Sequence, residues 1–154
     1  MRISFDLDDT LICYRDGALL EPAPPWYRRW MTSGEPLRRG AVALIRELQA
    51  LGHDVWIYTT SHRSPRAIRR WLGAYGVRIQ GVINQDEHDR HLLRSPHDHP
   101  PSKHPAAFDI ALHVDDSEGV RVEGERCGFT VIVVAPLDPE WATTVRRAAA
   151  ARGT

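Results

Sequence analysis

Cysteine is scarce in this chain of 154 residues: there are two, Cys13 and Cys127, far apart and in no CxxC or CxxH spacing. That excludes a disulfide framework and a thiolate metal site. No apolar run approaches the ~18 residues that a membrane-spanning helix needs, so no membrane partner is expected. An apolar strand begins by Ile3, which leaves no room for a charged leader and a hydrophobic signal core, and the expected location is cytoplasmic. An excess of one charge is missing as well, since twenty acidic side chains balance twenty basic ones. Without a global field no general nucleic-acid affinity is expected, and any partner has to be argued from a local feature. There is no internal repeat, and the length suits one domain with a sizeable core, expected over residues 1–154.

Lysine is rarer still. Lys103 stands alone among basic side chains that are otherwise arginine. A coding bias accounts for the arginines as a set. The surviving lysine marks a place where a compact, mobile point charge works and a broad planar fork does not.

What is present alternates strand and helix. RISFDLDD opens as a short apolar run that ends abruptly in acids, the pattern of a buried strand whose carboxyl end reaches a polar surface. Leu37, Ala41, Leu44, Ile45, Leu48 and Leu51 fall at helical spacing, with Gly52 as the stop. DVWIYTTS is the second strand, and Ser64-Pro65 starts a helix carrying Ile68, Trp71, Leu72 and Tyr75 on one face up to Gly76. VRIQGVI reads as the third strand. Residues 84–107, rich in His and Pro, read as a loop with a helical turn or two near HDRHLLR. IALHVDD is the fourth strand, Ser117 to Cys127 a helix stopped by Gly128, FTVIVVA the fifth strand, and Asp138-Pro139 starts a last helix. This order predicts a three-layer α/β/α Rossmann-like domain on a central parallel five-stranded sheet.

In such sheets ligands bind beyond the carboxyl ends of the strands, where the strand order reverses. Those ends carry Asp6, Asp8 and Asp9, then Thr59, Thr60 and Ser61, then Asp115 and Asp116. If the second and fourth strands flank the first, these groups converge. Crowded carboxylates resist ionising together unless a cation neutralises them, and an all-oxygen set with water positions left over suits Mg²⁺. Any one of these residues could instead cap the helix that follows it, as Asp9 and Thr60 readily would. The pair Asp6 and Asp8 carries a like-charge cost that capping does not require.

FDLDDTL, the Thr59 that ends WIYT, Lys103 and VDD, in that order, resemble the four motifs of the haloacid dehalogenase (HAD) superfamily in its phosphatase-like branch, over roughly residues 2–135. The resemblance implies a phosphoric monoester hydrolase. Asp6 is then the nucleophile that forms an aspartyl-phosphate, and Asp8 the acid that protonates the leaving oxygen and afterwards activates water. An acid with that duty calls for acidic neighbours that favour its protonated form. Thr59, with Thr60 beside it, and Lys103 would bind the phosphoryl oxygens. Mg²⁺ would be held from among Asp6, Asp8, Asp115 and Asp116, with Asp116 favoured as direct ligand and Asp115 orienting Lys103 or a water. Two departures stand out: Val120 replaces an acid common in relatives, and His104 follows the lysine where proline is common.

The gaps between these motifs are too short for a cap domain, so an open site is expected, suited to a macromolecular phosphoester or to a phosphorylated small molecule screened by a local flap. Residues 14–36 are the flap candidate. Trp26 and Trp30 sit one helical turn apart with Arg28 and Arg29 between them. Aromatics so spaced are expected to pack onto the core; the alternative is that one of them joins Arg28 or Arg29 in a substrate rim. His88, His91, His97, His99 and His104 crowd one segment, ordinarily a solvated loop, with a second metal site as the alternative. Two other function classes use the same groups. A receiver-type phospho-aspartate switch places its lysine after every acid, unlike Lys103, and a regulatory module that had lost turnover has no reason to keep all five groups.

Overall fold

A computed structural model describes residues 1–94 and 101–152. Five strands, β1 (Arg2–Phe5), β2 (Asp54–Tyr58), β3 (Gly81–Ile83), β4 (Ile110–Asp115) and β5 (Val131–Val133), form one sheet in the order β3-β2-β1-β4-β5. Every pairing is parallel, so β2 and β4 flank β1 and the order reverses at β1. Five helices complete the layers: α1 (Ala41–Ala50), α2 (Pro65–Ala74), α3 (Gln85–Arg94), α4 (Glu118–Cys127) and α5 (Trp141–Ala150). Ile3, Phe5, Leu7, Ile57 and Val114 are fully buried at the centre. At roughly 1.5–3 kcal/mol per buried side chain, this core fixes the strand ends, and with them every residue that follows the strands.

α1 begins at Ala41 rather than at Leu37 because Gly40 takes a left-handed conformation, φ 88°. Glu21, reaching over from the flap, accepts from the backbone N–H groups of Gly40 and Val42 at 3.0 and 3.1 Å and caps the helix. The third strand is shorter than VRIQGVI. Arg69 takes the carbonyls of Ile79 and Gln80, and the Gln80 side chain accepts from Val55 N–H at 2.8 Å while Gln80 N–H still donates to the Val55 carbonyl at 2.9 Å, so side chains take over part of the ladder there. At Gly81 the Trp56 ring lies so close that a Cβ would sit 2.1 Å from it, which confines this position to glycine.

The expected loop over 84–107 is corrected by α3, a full ten-residue helix. Asn84 Oδ1 accepts from Glu87 N–H at 3.1 Å, and acids in the first turn with His91 and Arg94 in the last suit the helix dipole. A 3-10 helix, Pro105–Phe108, then leads into β4.

The flap also departs from expectation. Trp26 and Trp30, in a 3-10 helix over Trp26–Met31, are 80% and 70% exposed and do not pack into the core. The flap is instead anchored at Glu35, whose carbonyl accepts from Trp71 Nε1–H at 3.1 Å and from the Tyr75 hydroxyl at 3.3 Å. Among the described residues no helix is long and apolar enough to cross a membrane.

Candidate active site

The carboxyl ends of β1, β2 and β4 meet as the strand order requires. Asp6 directly follows β1, and its N–H donates to the Val114 carbonyl at 2.9 Å, which holds it against β4. Asp115 ends β4. Between the two carboxylates sits the Lys103 ammonium, which donates to Asp6 Oδ1 at 2.7 Å and to Asp115 Oδ2 at 2.5 Å while only 3% exposed. The lone lysine of the chain is thus buried in a carboxylate pair.

The hydrogen bonds continue inward. His113 Nε2 lies 2.9 Å from Asp115 Oδ2, and His113 Nδ1 lies 2.8 Å from Ser4 Oγ. Burial pushes the imidazole down in pKa and keeps it neutral. A neutral ring serves both contacts when Nε2–H donates to Asp115 and Nδ1 accepts from the Ser4 hydroxyl. Ser117 N–H donates to the other Asp115 oxygen at 2.8 Å. Burial by itself would raise the Asp115 carboxyl; the His113 hydrogen bond and the Lys103 charge outweigh it and hold the group well below the usual carboxylate range. For Lys103 burial opposes the charge, and Asp6 and Asp115 together overcome it, so the ammonium is firmly protonated. At Asp6 burial and the Asp115 charge push the carboxyl up against the pull of Lys103.

Sequence reasoning missed Ser4 and His113. Their signal was the strand period: Ser4 lies two residues before Asp6 and His113 two before Asp115, each pair on one face, and the β1–β4 register sets Ser4 directly opposite His113.

Asp8 differs from expectation. Its partner is cationic: Arg63 Nη1 donates to Asp8 Oδ2 at 3.0 Å, and the Asp8 side chain is 54% exposed. Arg63 is itself tied to Glu35 of the flap at 2.7 Å and donates to Ser61 Oγ at 3.0 Å. The Asn84 amide holds the Arg63 carbonyl at 3.2 Å. Acidic neighbours do not surround Asp8; a guanidinium braced by the flap does. Arg63 and Glu35 also escaped sequence reasoning, since an arginine in a polar loop and a glutamate in a flap carry no periodic signal.

Thr59 is buried at the end of β2, and its hydroxyl accepts from Ser61 N–H at 3.2 Å, which leaves the hydroxyl proton to donate elsewhere. Thr60 is exposed. Asp9 belongs to the turn after β1, with φ 56°, and is paired with Arg15 at 2.9 Å.

Of the four candidate metal ligands, Asp115 fits least, because both of its oxygens are taken. Asp8 is turned to Arg63. Asp6 gives one oxygen to Lys103, and Asp116 carries a carboxyl pushed up by burial and then by the Asp115 and Asp9 charges. Anionic crowding of this kind is what a hard cation relieves. Among the described residues no three His, Cys, Asp or Glu side chains gather to hold a metal. The histidine-rich segment shows no second metal group within that same set. His88 is buried with its Nδ1 2.6 Å from the Tyr58 hydroxyl, His91 packs on Phe108, and His97 and His99 lie outside the described residues.

No family model and no curated protein matches the chain. Solved structures with a similar fold include the Pnkp1/Rnl/Hen1 complex, at TM-score 0.55 and 14% identity over 86% of this chain and 45% of that one. A structure of the Pnkp1/Rnl/Hen1 RNA repair complex matches at TM-score 0.52 and 14% identity, over 86% of this chain and 42% of that one. A predicted HAD-like family hydrolase from Porphyromonas gingivalis matches at TM-score 0.52 and 12% identity, over 96% of this chain and 97% of that one. The chain thus spans less than half the length of the first two. The fold is similar to that of this HAD-like hydrolase, a Rossmann-like α/β/α sheet without a large cap among the described residues.

Proposed function

We propose that this protein is a Mg²⁺-dependent phosphoric monoester hydrolase that works through an aspartyl-phosphate on Asp6. The observation that carries the reading is the Lys103 ammonium buried between Asp6 and Asp115 at the point where the strand order reverses. A buried charge is costly unless it is paired, and one placed at the ligand-binding edge of such a sheet suits developing charge on a phosphoryl group.

In this reading an Asp6 oxygen attacks phosphorus as the bond to the leaving oxygen breaks, and Asp8 delivers a proton to that oxygen. Asp8 then takes a proton from the water that attacks the aspartyl-phosphate, releasing inorganic phosphate and restoring Asp6. Thr59 donates its hydroxyl and Thr60 its backbone N–H to phosphoryl oxygens, while Lys103 offsets their charge. His113 and Ser4 keep Asp115 ionised and turned toward Lys103. Asp6 and Asp116 would hold Mg²⁺, which when bound supplies the charge neutralisation that lets an anionic phosphoryl group approach the carboxylates. The substrates are a phosphorylated small molecule or a macromolecular phosphoester; the RNA repair complex in which one neighbour in fold was solved supports the latter.

Arg63 enters as the residue that positions Asp8. Its loss is expected to matter most where the leaving group needs a proton. Arg63→Gln should lower kcat on an alkyl phosphate about tenfold more than on 4-nitrophenyl phosphate, whose leaving group departs unaided. Equal losses on the two substrates would remove Arg63 from this role.

The reading as a whole is tested by chelation. Dialysis against EDTA should abolish hydrolysis of 4-nitrophenyl phosphate and added Mg²⁺ restore it, with a phosphate adduct at Asp6 seen by mass spectrometry after an acid quench. Full turnover in the chelated protein would overturn the metal dependence, and an adduct on any other residue the mechanism.

A further inference from the structure

The exposed tryptophans of the flap adjoin a run of unpaired arginines. Trp26 and Trp30 are 80% and 70% exposed, and Tyr27 between them is 54% exposed. Arg28 stacks over the Tyr27 ring at 5.6 Å. The 3-10 helix that carries them packs on α2, with Met31 Cε 3.7 Å from where a Gly73 Cβ would stand. Arg66, Arg70 and Gly73 fall at i, i+4 and i+7 and share one stripe of α2, facing away from its buried Ile68 and Leu72. Arg66 and Arg70 are exposed and make no ion pair among the described residues, although the chain has twenty acidic side chains to offer. Neither α2 nor the 3-10 helix contains an Asp or Glu. The stripe leads to the N-terminus of α2, next to Arg63 at the mouth of the site.

Exposed tryptophan is expensive to keep in water, and unpaired arginine beside it adds charge of one sign in a chain that is neutral overall. Flat aromatic faces alternating with guanidinium groups match one polymer closely, a single-stranded nucleic acid, whose bases stack and whose phosphates pair. An acidic protein surface would use the charges and leave the stacking faces unused. We propose that Trp26, Trp30, Arg28, Arg66 and Arg70 form a docking track for single-stranded nucleic acid, which delivers a phosphorylated strand end to the site. The proposal deepens the phosphatase reading and rests on it for what happens to that end; the track itself does not depend on catalysis.

The test uses a fluorescein-labelled 12-nucleotide single strand without a terminal phosphate, so that binding is read apart from chemistry, by anisotropy as a function of salt. The intact protein should bind it at low salt. Trp26→Ala/Trp30→Ala should weaken binding about tenfold or more with the salt slope unchanged. Arg66→Gln/Arg70→Gln should weaken binding and lower the salt slope by about 1.4, two phosphate contacts at ~0.7 each. All these side chains except Arg28 are largely exposed, so thermal midpoints and turnover of 4-nitrophenyl phosphate should stay at the unsubstituted values in both variants. As a second readout, a strand with a terminal phosphate should have a kcat/KM about tenfold above that of a mononucleotide, and Trp26→Ala/Trp30→Ala should erase the difference. Absence of binding at low salt overturns the track, as does binding by either variant as tight as that of the unsubstituted protein. Tighter binding to polyglutamate or to anionic phospholipid vesicles assigns the surface to another partner and overturns it too. If the strand binds as described but no phosphoester is hydrolysed, the phosphatase reading and the delivery step fail while the docking surface stands.

Discussion

Asp6→Asn is expected to lower hydrolysis of 4-nitrophenyl phosphate by about 10⁴-fold or more, the scale of losing a nucleophile that works as part of a unit. The amide has the shape of the carboxylate and cannot form the aspartyl-phosphate. The variant should fold. The backbone bond from residue 6 to Val114 is untouched, and Lys103 keeps Asp115 as partner. Its thermal midpoint is expected to match or exceed that of the unsubstituted protein. Burial and the Asp115 charge both push the Asp6 carboxyl up, so its ionised form is a cost that the fold bears. Removing that cost relieves the native state, as when an active site gives up strain kept for function. Turnover at the original rate would end the proposed mechanism, whereas an unfolded variant would show that Asp6 is mainly structural.

Lys103→Met is expected to remove activity as thoroughly and, unlike the change at Asp6, to destabilise the protein by about 3–5 kcal/mol, the range for breaking a buried ion pair from one side. Two buried carboxylates would then face each other without a cation. Asp6, already pushed up by burial, would lose the pull of Lys103, and Asp115 would keep only His113 and Ser117; a group whose pKa is raised above its unfolded value stabilises the native state at low pH and loses that contribution as pH rises. The stability gap between the two proteins should therefore widen from pH 4 to pH 7, which urea unfolding at several pH values measures. Lys103→Arg should not restore activity, because a planar fork does not fit a space that closes on Asp6 at 2.7 Å and on Asp115 at 2.5 Å. A gap that is constant with pH would mean that the carboxylates are neutral and the ion pair misassigned.

Much of this site was legible from the chain. β1, β2, β4 and β5 announce themselves as apolar runs, and the acids of FDLDD and VDD appear where such runs stop. Lys103 was visible through composition, as the one ammonium among arginines. α3 was less legible. Its His and Asp content reads as loop, yet Asn84 followed by Glu87 is a capping signal that the composition obscured. The tryptophans were misleading, because helical spacing of aromatics marks a buried face only when another element covers it, and nothing among the described residues covers Trp26 or Trp30.

By itself the sequence determined the alternation of strands and helices, the parallel class of the sheet and the list of acids waiting at strand ends, because these follow from local periodicity and from where apolar runs break off. Only the tertiary structure decided which of those acids share a cation. Ser4 meets His113 through the register of β4 on β1, the segment before β4 carries Lys103 between Asp6 and Asp115, and Asp8 faces Arg63 through a loop held by Glu35 of the flap. Such pairings join residues from 12 to 109 positions apart, and strand register with loop closure, neither of which is written in any short stretch, sets them.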